Sequence, residues 1–148
     1  MIPRRRAREI ALQVLYSLDV NPALDVPAAL AQYFDRFHGA DGDGDDTKPQ
    51  EDDRVFAEEL VREVSARRPR LDEWLREISH NWRLERMAQV DRNILRMALY
   101  ELEHRDDIPG RVTINEAVEL AKRYGAAEAP AFVNGMLDSA LRSLPAPK

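Results

Sequence analysis

The stretch from residue 84 to residue 105 carries apolar side chains at helical spacing on two stripes rather than one. The stripes consist of Met87, Val90, Ile94, Met97 and Ala98, and of Leu95, Leu99 and Leu102. A helix that is apolar on two sides has to be covered on two sides. The pattern therefore predicts a central helix with other helices packed around it. Three charged residues, Asp91, Arg92 and Arg96, interrupt the apolar surface, which predicts that one edge of this helix reaches solvent.

Six further segments show the same helical periodicity. They lie at about residues 4–19, 25–37, 55–64, 71–81, 113–125 and 130–144. No segment alternates apolar and polar residues in the way that a half-buried strand does. The predicted fold class is all-α with about seven helices, and residues 1–148 are predicted to form a single domain, which is a length sufficient to bury a core.

Several residues predict where helices begin and end. Asp25 is expected to cap the second helix, and Pro69 to stop the third. Thr113 and Glu116 have the spacing of a capping box, and Gly125 is expected to end the helix that they open. In the last two helices, Tyr124 and Phe132 are expected to be core residues, and Gly135 is expected to mark close helix packing.

Charge is unevenly distributed along a chain whose formal net charge is −5. Residues 1–8 contain four Arg and no acid, whereas residues 41–53 contain seven acids and one Lys. We interpret residues 39–53 as a solvated, flexible acidic loop. Asp41, Asp43 and Asp45 match the first ligands of an EF-hand, but Asp46 stands where the loop requires Gly, so a calcium site is not expected.

Most other chemistry is not indicated by the sequence. There is no cysteine, and the three His residues show no metal-ligand spacing, so neither a disulfide framework nor a metal site is expected. No serine stands in a nucleophile motif and no Gly-rich loop follows a strand, so we expect a protein without catalytic activity or cofactor. No apolar run is long enough to span a membrane and no secretory signal is evident, which fits a cytoplasmic protein.

The basic cluster Arg4, Arg5, Arg6 and Arg8 lies at the start of a predicted helix. Cations at this end of a helix oppose the macrodipole, so ordinary helices begin with acids or capping residues instead. The cluster is well suited to phosphates, because arginine offers paired donors and the helix N-terminus offers free N–H groups. Gln13 and Tyr16, two to three turns further on, could supply a base-recognising amide and a stacking ring. The alternative is a frayed basic tail that only adds solubility.

Blocks along nearly the whole chain resemble the family of the bacterial transcription antitermination factor NusB. In order, these blocks are RRARE at 5–9, ALQ at 11–13, LY at 15–16, DRNILR at 91–96, YEL at 100–102, IP at 108–109, INEAVELAK at 114–122 and FVNGMLD at 132–138. The resemblance implies a compact fold of two three-helix-like subdomains that share a long central helix, and no catalysis. It also implies a heterodimer with the ribosomal protein NusE, which binds boxA-type single-stranded RNA of ribosomal RNA operons and acts on the transcribing RNA polymerase complex.

The resemblance further assigns roles to individual residues. It implies that Arg4 to Arg8 form the RNA-contacting segment, and that Glu128 and Phe132 belong to a second RNA-facing patch. It places Asp91 and Glu85 on the side that faces NusE. From the residues alone, Asp91 could instead form a salt bridge to another helix or simply be exposed.

Two alternative functions belong to other classes of protein. A related helical domain begins some ribosomal RNA cytosine methyltransferases, but this chain has neither a parallel sheet nor a cofactor loop. The other is a homo-oligomeric helical interaction module that does not bind RNA. Removing residues 1–8 should weaken RNA binding if the protein is an RNA-binding antitermination factor. The same truncation should not affect the function of a homo-oligomeric interaction module.

Overall fold

The computed structural model describes residues 4–36, 50–80 and 86–145, which form seven α-helices and no strand. The helices are α1 (Arg5–Val20), α2 (Val26–Asp35), α3 (Glu51–Ala66), α4 (Arg68–Ile78), α5 (Gln89–His104), α6 (Gly110–Tyr124) and α7 (Ala129–Arg142). The predicted all-α class with about seven helices is confirmed. The chain divides into two compact units, residues 2–65 and residues 66–148.

The unit of residues 2–65 contains α1, α2 and nearly all of α3. Its core includes apolar side chains at helical spacing: Ala7, Ile10, Ala11, Val14 and Leu15 of α1, Leu30, Tyr33 and Phe34 of α2, and Phe56, Leu60, Val61 and Val64 of α3. Asp25 caps α2 as predicted, because the backbone N–H of Ala28 donates to Asp25 Oδ1 at 2.8 Å. This cap fixes the turn that joins α1 to α2.

In the unit of residues 66–148, α5 contacts α4, α6 and α7. Its buried side chains belong to both predicted stripes, with Ile94 and Met97 on one and Leu95, Leu99 and Leu102 on the other. The prediction of a central helix covered on more than one side is therefore confirmed within this unit. The helix begins at Gln89 instead of residue 84; residues 84 and 85 lie outside the described residues.

The interpretation of Arg96 as part of a solvent-facing edge was wrong. Arg96 is only 2% exposed, and its guanidinium is held in the interior. Its Nε donates to Asp72 Oδ1 at 2.6 Å, its Nη2 donates to Asp72 Oδ2 at 3.0 Å, and its Nη1 donates to Asn93 Oδ1 at 2.9 Å. A buried guanidinium needs such partners, and this bidentate pair ties α4 to α5.

A capping box at Thr113 and Glu116 is not formed. Thr113 lies inside α6, which begins at Gly110, and its hydroxyl donates to Glu101 Oε1 of α5 at 3.1 Å. Both residues of that bond are buried, so the hydroxyl satisfies a carboxylate in the interior instead of capping a helix end. Gly125 does end α6, as predicted, although its backbone is extended instead of left-handed.

Three further predictions require correction. Pro69 lies in the first turn of α4, where its missing N–H costs nothing, so it opens α4 in addition to following α3. Residues 51–53, assigned above to the acidic loop, form the first turn of α3, where acidic side chains are favoured by the helix dipole. Gly135 is exposed, and a Cβ built there meets nothing within 4 Å, so close helix packing does not explain this glycine. Residues 39–49, including the EF-hand-like acids, lie outside the described residues.

Candidate RNA-binding and partner-binding surfaces

The arginine cluster forms the beginning of α1. Arg4 is the N-cap residue, with a left-handed backbone at φ 58° and ψ 37°, and its carbonyl accepts the first helical hydrogen bond from Arg8 N at 3.2 Å. The Arg4 side chain makes no capping hydrogen bond, and the first turn of α1 contains no acidic residue. Positive side chains therefore surround backbone N–H groups that are themselves electropositive, which is a favourable environment for an anion.

The four arginines differ in exposure. Arg5 is exposed, Arg4 and Arg6 are half-buried, and Arg8 is only 2% exposed. The guanidinium carbons of Arg4 and Arg8 lie 4.7 Å and 5.4 Å from the ring centroid of Phe56 in α3. The cluster thus has an exposed part and a part packed on an aromatic ring.

Helical geometry divides the side chains of α1 in the same way. At 100° per residue, Arg5, Arg6, Gln13 and Tyr16 lie within roughly 100° of one another around the helix axis. Gln13 is exposed, and Tyr16 is 46% exposed. The predicted base-recognising amide and stacking ring therefore share a side of α1 with the two arginines, and this side extends roughly 16 Å along the helix.

The junction of α6 and α7 holds the second predicted patch. Glu128 is exposed at the N-cap of α7, and Phe132 is half-buried one turn later. The expectation that both aromatic residues of this junction are core was wrong for Tyr124, which is 41% exposed at the last position of α6. Lys122 and Arg123 lie in the same last turn. Sequence periodicity did not reveal that Tyr124 is exposed. This residue continues the apolar side of α6, but it is accessible because it lies at the end of the helix.

Asp91 lies in the first turn of α5 and is neither exposed nor hydrogen-bonded through Oδ1 within the described residues. It is 8% exposed, and a Cβ at Gly125 would lie 2.6 Å from Asp91 Oδ1, so the carboxylate is covered closely by the end of α6. Burial raises the pKa of Asp91, and the nearby negative charge of Glu128 raises this pKa further. Simple exposure, one of the two structural alternatives for Asp91, was therefore wrong. Glu85, the other predicted partner-facing residue, lies outside the described residues.

No group of His, Cys, Asp or Glu among the described residues is arranged to hold a metal ion. None of the described helices is long and apolar enough to cross a membrane.

Together, these features define an all-helical protein whose first helix presents arginines and an exposed tyrosine, a combination of side chains suited to nucleic acid. Comparison with known proteins is more specific. The model of the NusB family matches residues 5–142. The transcription antitermination protein NusB of Geotalea uraniireducens (strain Rf4) is 47% identical over 147 residues, which cover 98% of each chain.

Solved structures of NusB proteins are also similar to this chain. The structure of NusB from T. maritima superposes with a TM-score of 0.80 and 32% identity, covering 97% of this chain and 93% of that one. A chain in a crystal structure of antitermination factors NusB and NusE in complex with double-stranded RNA superposes with a TM-score of 0.79 and 25% identity, covering 97% of this chain and 99% of that one. The chain belongs to the NusB family.

Proposed function

We propose that this protein is a non-catalytic transcription antitermination factor that binds boxA-type single-stranded RNA together with ribosomal protein NusE. In this function it acts in the cytoplasm on the transcribing RNA polymerase complex and requires no cofactor. The observation that carries the proposal is the arginine and tyrosine surface of α1 in a chain of the NusB family. The proposal is also supported by the complex of NusB with NusE and RNA, to which this chain is structurally similar.

Single-stranded RNA offers phosphates and exposed base faces, and the surface of α1 has a counterpart for each. Arg4, Arg5 and Arg6 would contact phosphates through charge-assisted hydrogen bonds. Tyr16 is accessible enough for a base to stack on it, and Gln13 could recognise a base edge. Arg8, which is almost completely buried, is a poor candidate for direct phosphate contact.

The second RNA-facing patch is proposed at the α6–α7 junction. Phe132, with Tyr124 as an additional residue, would offer stacking surfaces, and Glu128 would offer a carboxylate to base or sugar donors. Lys122 and Arg123 add positive charge in the last turn of α6. This combination is the one expected for sequence-tolerant contacts with a single strand.

The partner-facing role is proposed for Asp91 together with Glu85. A buried carboxylate oxygen without a hydrogen-bond partner is costly, so such groups usually have a function or a missing partner. A basic or amide group from NusE would bring a compensating charge or donor close to the Asp91 carboxylate. The cost of burying this carboxylate in the free chain would then be recovered in the complex.

The test is a comparison of two triple variants with equal charge change. In the first variant, Arg4, Arg5 and Arg6 are replaced by Ala. In the control variant, Ala replaces three exposed arginines of other helices, namely Arg62 of α3, Arg76 of α4 and Arg142 of α7. Each contacted phosphate of a single strand contributes about 0.7 to the steepness of log K against log salt. If the three arginines contact three phosphates, this slope should be about 2 units shallower in the first variant than in the parent. The control should keep nearly the parent slope. Equal slopes in both variants, with helical circular dichroism intact, would contradict the proposed RNA site.

A further inference from the structure

Phe56 of α3 lies between the arginine cluster and the core of its unit. Its ring is only 3% exposed, and two guanidinium groups lie against it, Arg4 at 4.7 Å and Arg8 at 5.4 Å from the ring centroid. Arg4 and Arg8 are four residues apart, so their side chains project from the same side of α1. One ring in the core therefore binds two members of the cluster at the same time.

Both arginines need such a contact. Arg8 is nearly removed from water, and a buried charge is unfavourable unless other groups compensate for lost hydration. An aromatic face provides part of this compensation, and its attraction for a cation is stronger where water is excluded. Arg4 adopts a left-handed backbone that non-glycine residues rarely occupy, and surrounding contacts must hold it there.

We propose that Phe56 is a positioning residue for RNA binding, and that Arg8 is the anchor of the arginine cluster instead of one of its phosphate ligands. This inference rests on the proposed RNA-binding function of α1. By holding Arg4 and Arg8, the ring fixes the conformation of the N-cap and the first turn. That conformation sets the direction of Arg5 and Arg6 relative to Gln13 and Tyr16, so RNA meets a pre-organised surface.

A variant without the Phe56 ring distinguishes a positioning role from a charge effect. Removing the Phe56 ring leaves every arginine present in the chain. The number of phosphates contacted, and with it the slope of log K against log salt, should therefore change little. The affinity should fall because the arginines must be ordered during binding. Loss of one water-shielded cation–π contact of about 1 kcal/mol corresponds to an affinity loss of about fivefold.

Phe34 provides a matched control. It lies in the same unit, is also largely buried, and carries the guanidinium of Arg54 at 4.7 Å from its ring centroid. Phe34→Leu and Phe56→Leu therefore remove the same kind of ring from the same unit, each with one or two stacked arginines. Only Phe56→Leu should weaken RNA binding if the ring acts through the cluster.

A second variant keeps the core intact. Replacing Phe56 site-specifically by 3,4,5-trifluorophenylalanine retains the ring but weakens its attraction for cations. This protein should remain folded, show changed NMR shifts of the Arg4 and Arg8 side chains, and bind a boxA-type single-stranded RNA several-fold more weakly at a similar salt slope. If Phe56→Leu does not fold, the fluorinated variant decides the question.

The inference is overturned if the trifluorinated protein binds this RNA as tightly as the parent, or if Phe34→Leu weakens binding as much as Phe56→Leu. The triple Ala variant of Arg4, Arg5 and Arg6 distinguishes this failure from failure of the proposed function. If that variant loses RNA affinity while the fluorinated protein does not, the α1 site stands and the role of Phe56 is wrong. If the triple variant binds like the parent, the α1 site itself is wrong.

Discussion

Asp91 is predicted to make the free protein less stable, so replacing it by Asn should raise the melting temperature at neutral pH. The side chain is buried, its Oδ1 has no hydrogen-bond partner within the described residues, and Glu128 adds a second negative charge nearby. Asn has nearly the same shape and carries no charge. The replacement therefore removes the cost of burying an ion without opening a cavity.

The magnitude follows from the cost of an unsatisfied buried group, which is about 1–3 kcal/mol and larger for charged groups. Because the Asn amide keeps a polar oxygen, we expect a gain of about 1–2 kcal/mol in the free energy of unfolding. For a chain of this length, that gain corresponds to roughly 2–8 °C in melting temperature.

The gain should depend on pH, because burial raises the pKa of Asp91 above the ordinary aspartate value of about 3.9. Between that value and the raised pKa, the folded protein binds more protons at Asp91 than the unfolded chain does. Stability from this group therefore falls as the pH rises through that window, and the full penalty is present above it. The difference between Asp91→Asn and the parent should accordingly be largest at neutral pH and should vanish below the ordinary pKa.

Calorimetric melting of both proteins from pH 3.5 to pH 7.5 measures this difference directly. A variant that melts below the parent at neutral pH would show that the Asp91 carboxylate makes a stabilising contact inside the chain, and would contradict this prediction. The same variant should bind NusE more weakly if the partner satisfies Asp91. Weaker binding by a more stable protein is the combination that a structural role alone does not produce.

Three other substitutions test separate features. Arg96→Ala leaves Asp72 without its bidentate partner and should lower the free energy of unfolding by about 3–5 kcal/mol in urea titrations; a loss below 1 kcal/mol would contradict the importance of this pair. Gly135→Ala should stabilise the protein by about 0.5–1 kcal/mol, because the new Cβ meets no atom within 4 Å; destabilisation in the same titrations would refute this. Tyr124→Ala should weaken RNA binding by about 1–3 kcal/mol in fluorescence anisotropy while leaving the melting temperature nearly unchanged, and unaltered affinity would remove Tyr124 from the surface.

Helix positions could be predicted from the sequence because each helix buries one side against its unit, which imposes a regular apolar spacing. The two stripes of α5 indicated its central place among α4, α6 and α7 for the same reason. Helix ends were less certain. Thr113 and Pro69 each carry a boundary signal, but the Thr113 hydroxyl satisfies Glu101 in the interior, and Pro69 begins a helix instead of only following one.

The candidate site was only partly predictable. The composition of the Arg cluster indicated an anionic ligand, but two of its members, Arg4 and Arg8, lie against Phe56, which is 48 residues beyond Arg8 in the sequence. Nothing local to either residue encodes that contact. Likewise, the burial of Asp91 depends on Gly125 at the end of α6, where the absent side chain leaves room for a carboxylate. Long-range packing sets both environments, so spacing within one helix could not reveal them.

We propose above that the protein binds boxA-type RNA together with NusE through the arginine surface of α1. The most direct test is fluorescence anisotropy of a labelled boxA-type RNA titrated with this protein alone, with NusE alone and with both in equal amounts. We expect binding that is tightest with both proteins, weakens with salt, and is lost when Arg4, Arg5 and Arg6 are replaced by Ala. Equal affinity with and without NusE, or binding that survives loss of the three arginines, would contradict it.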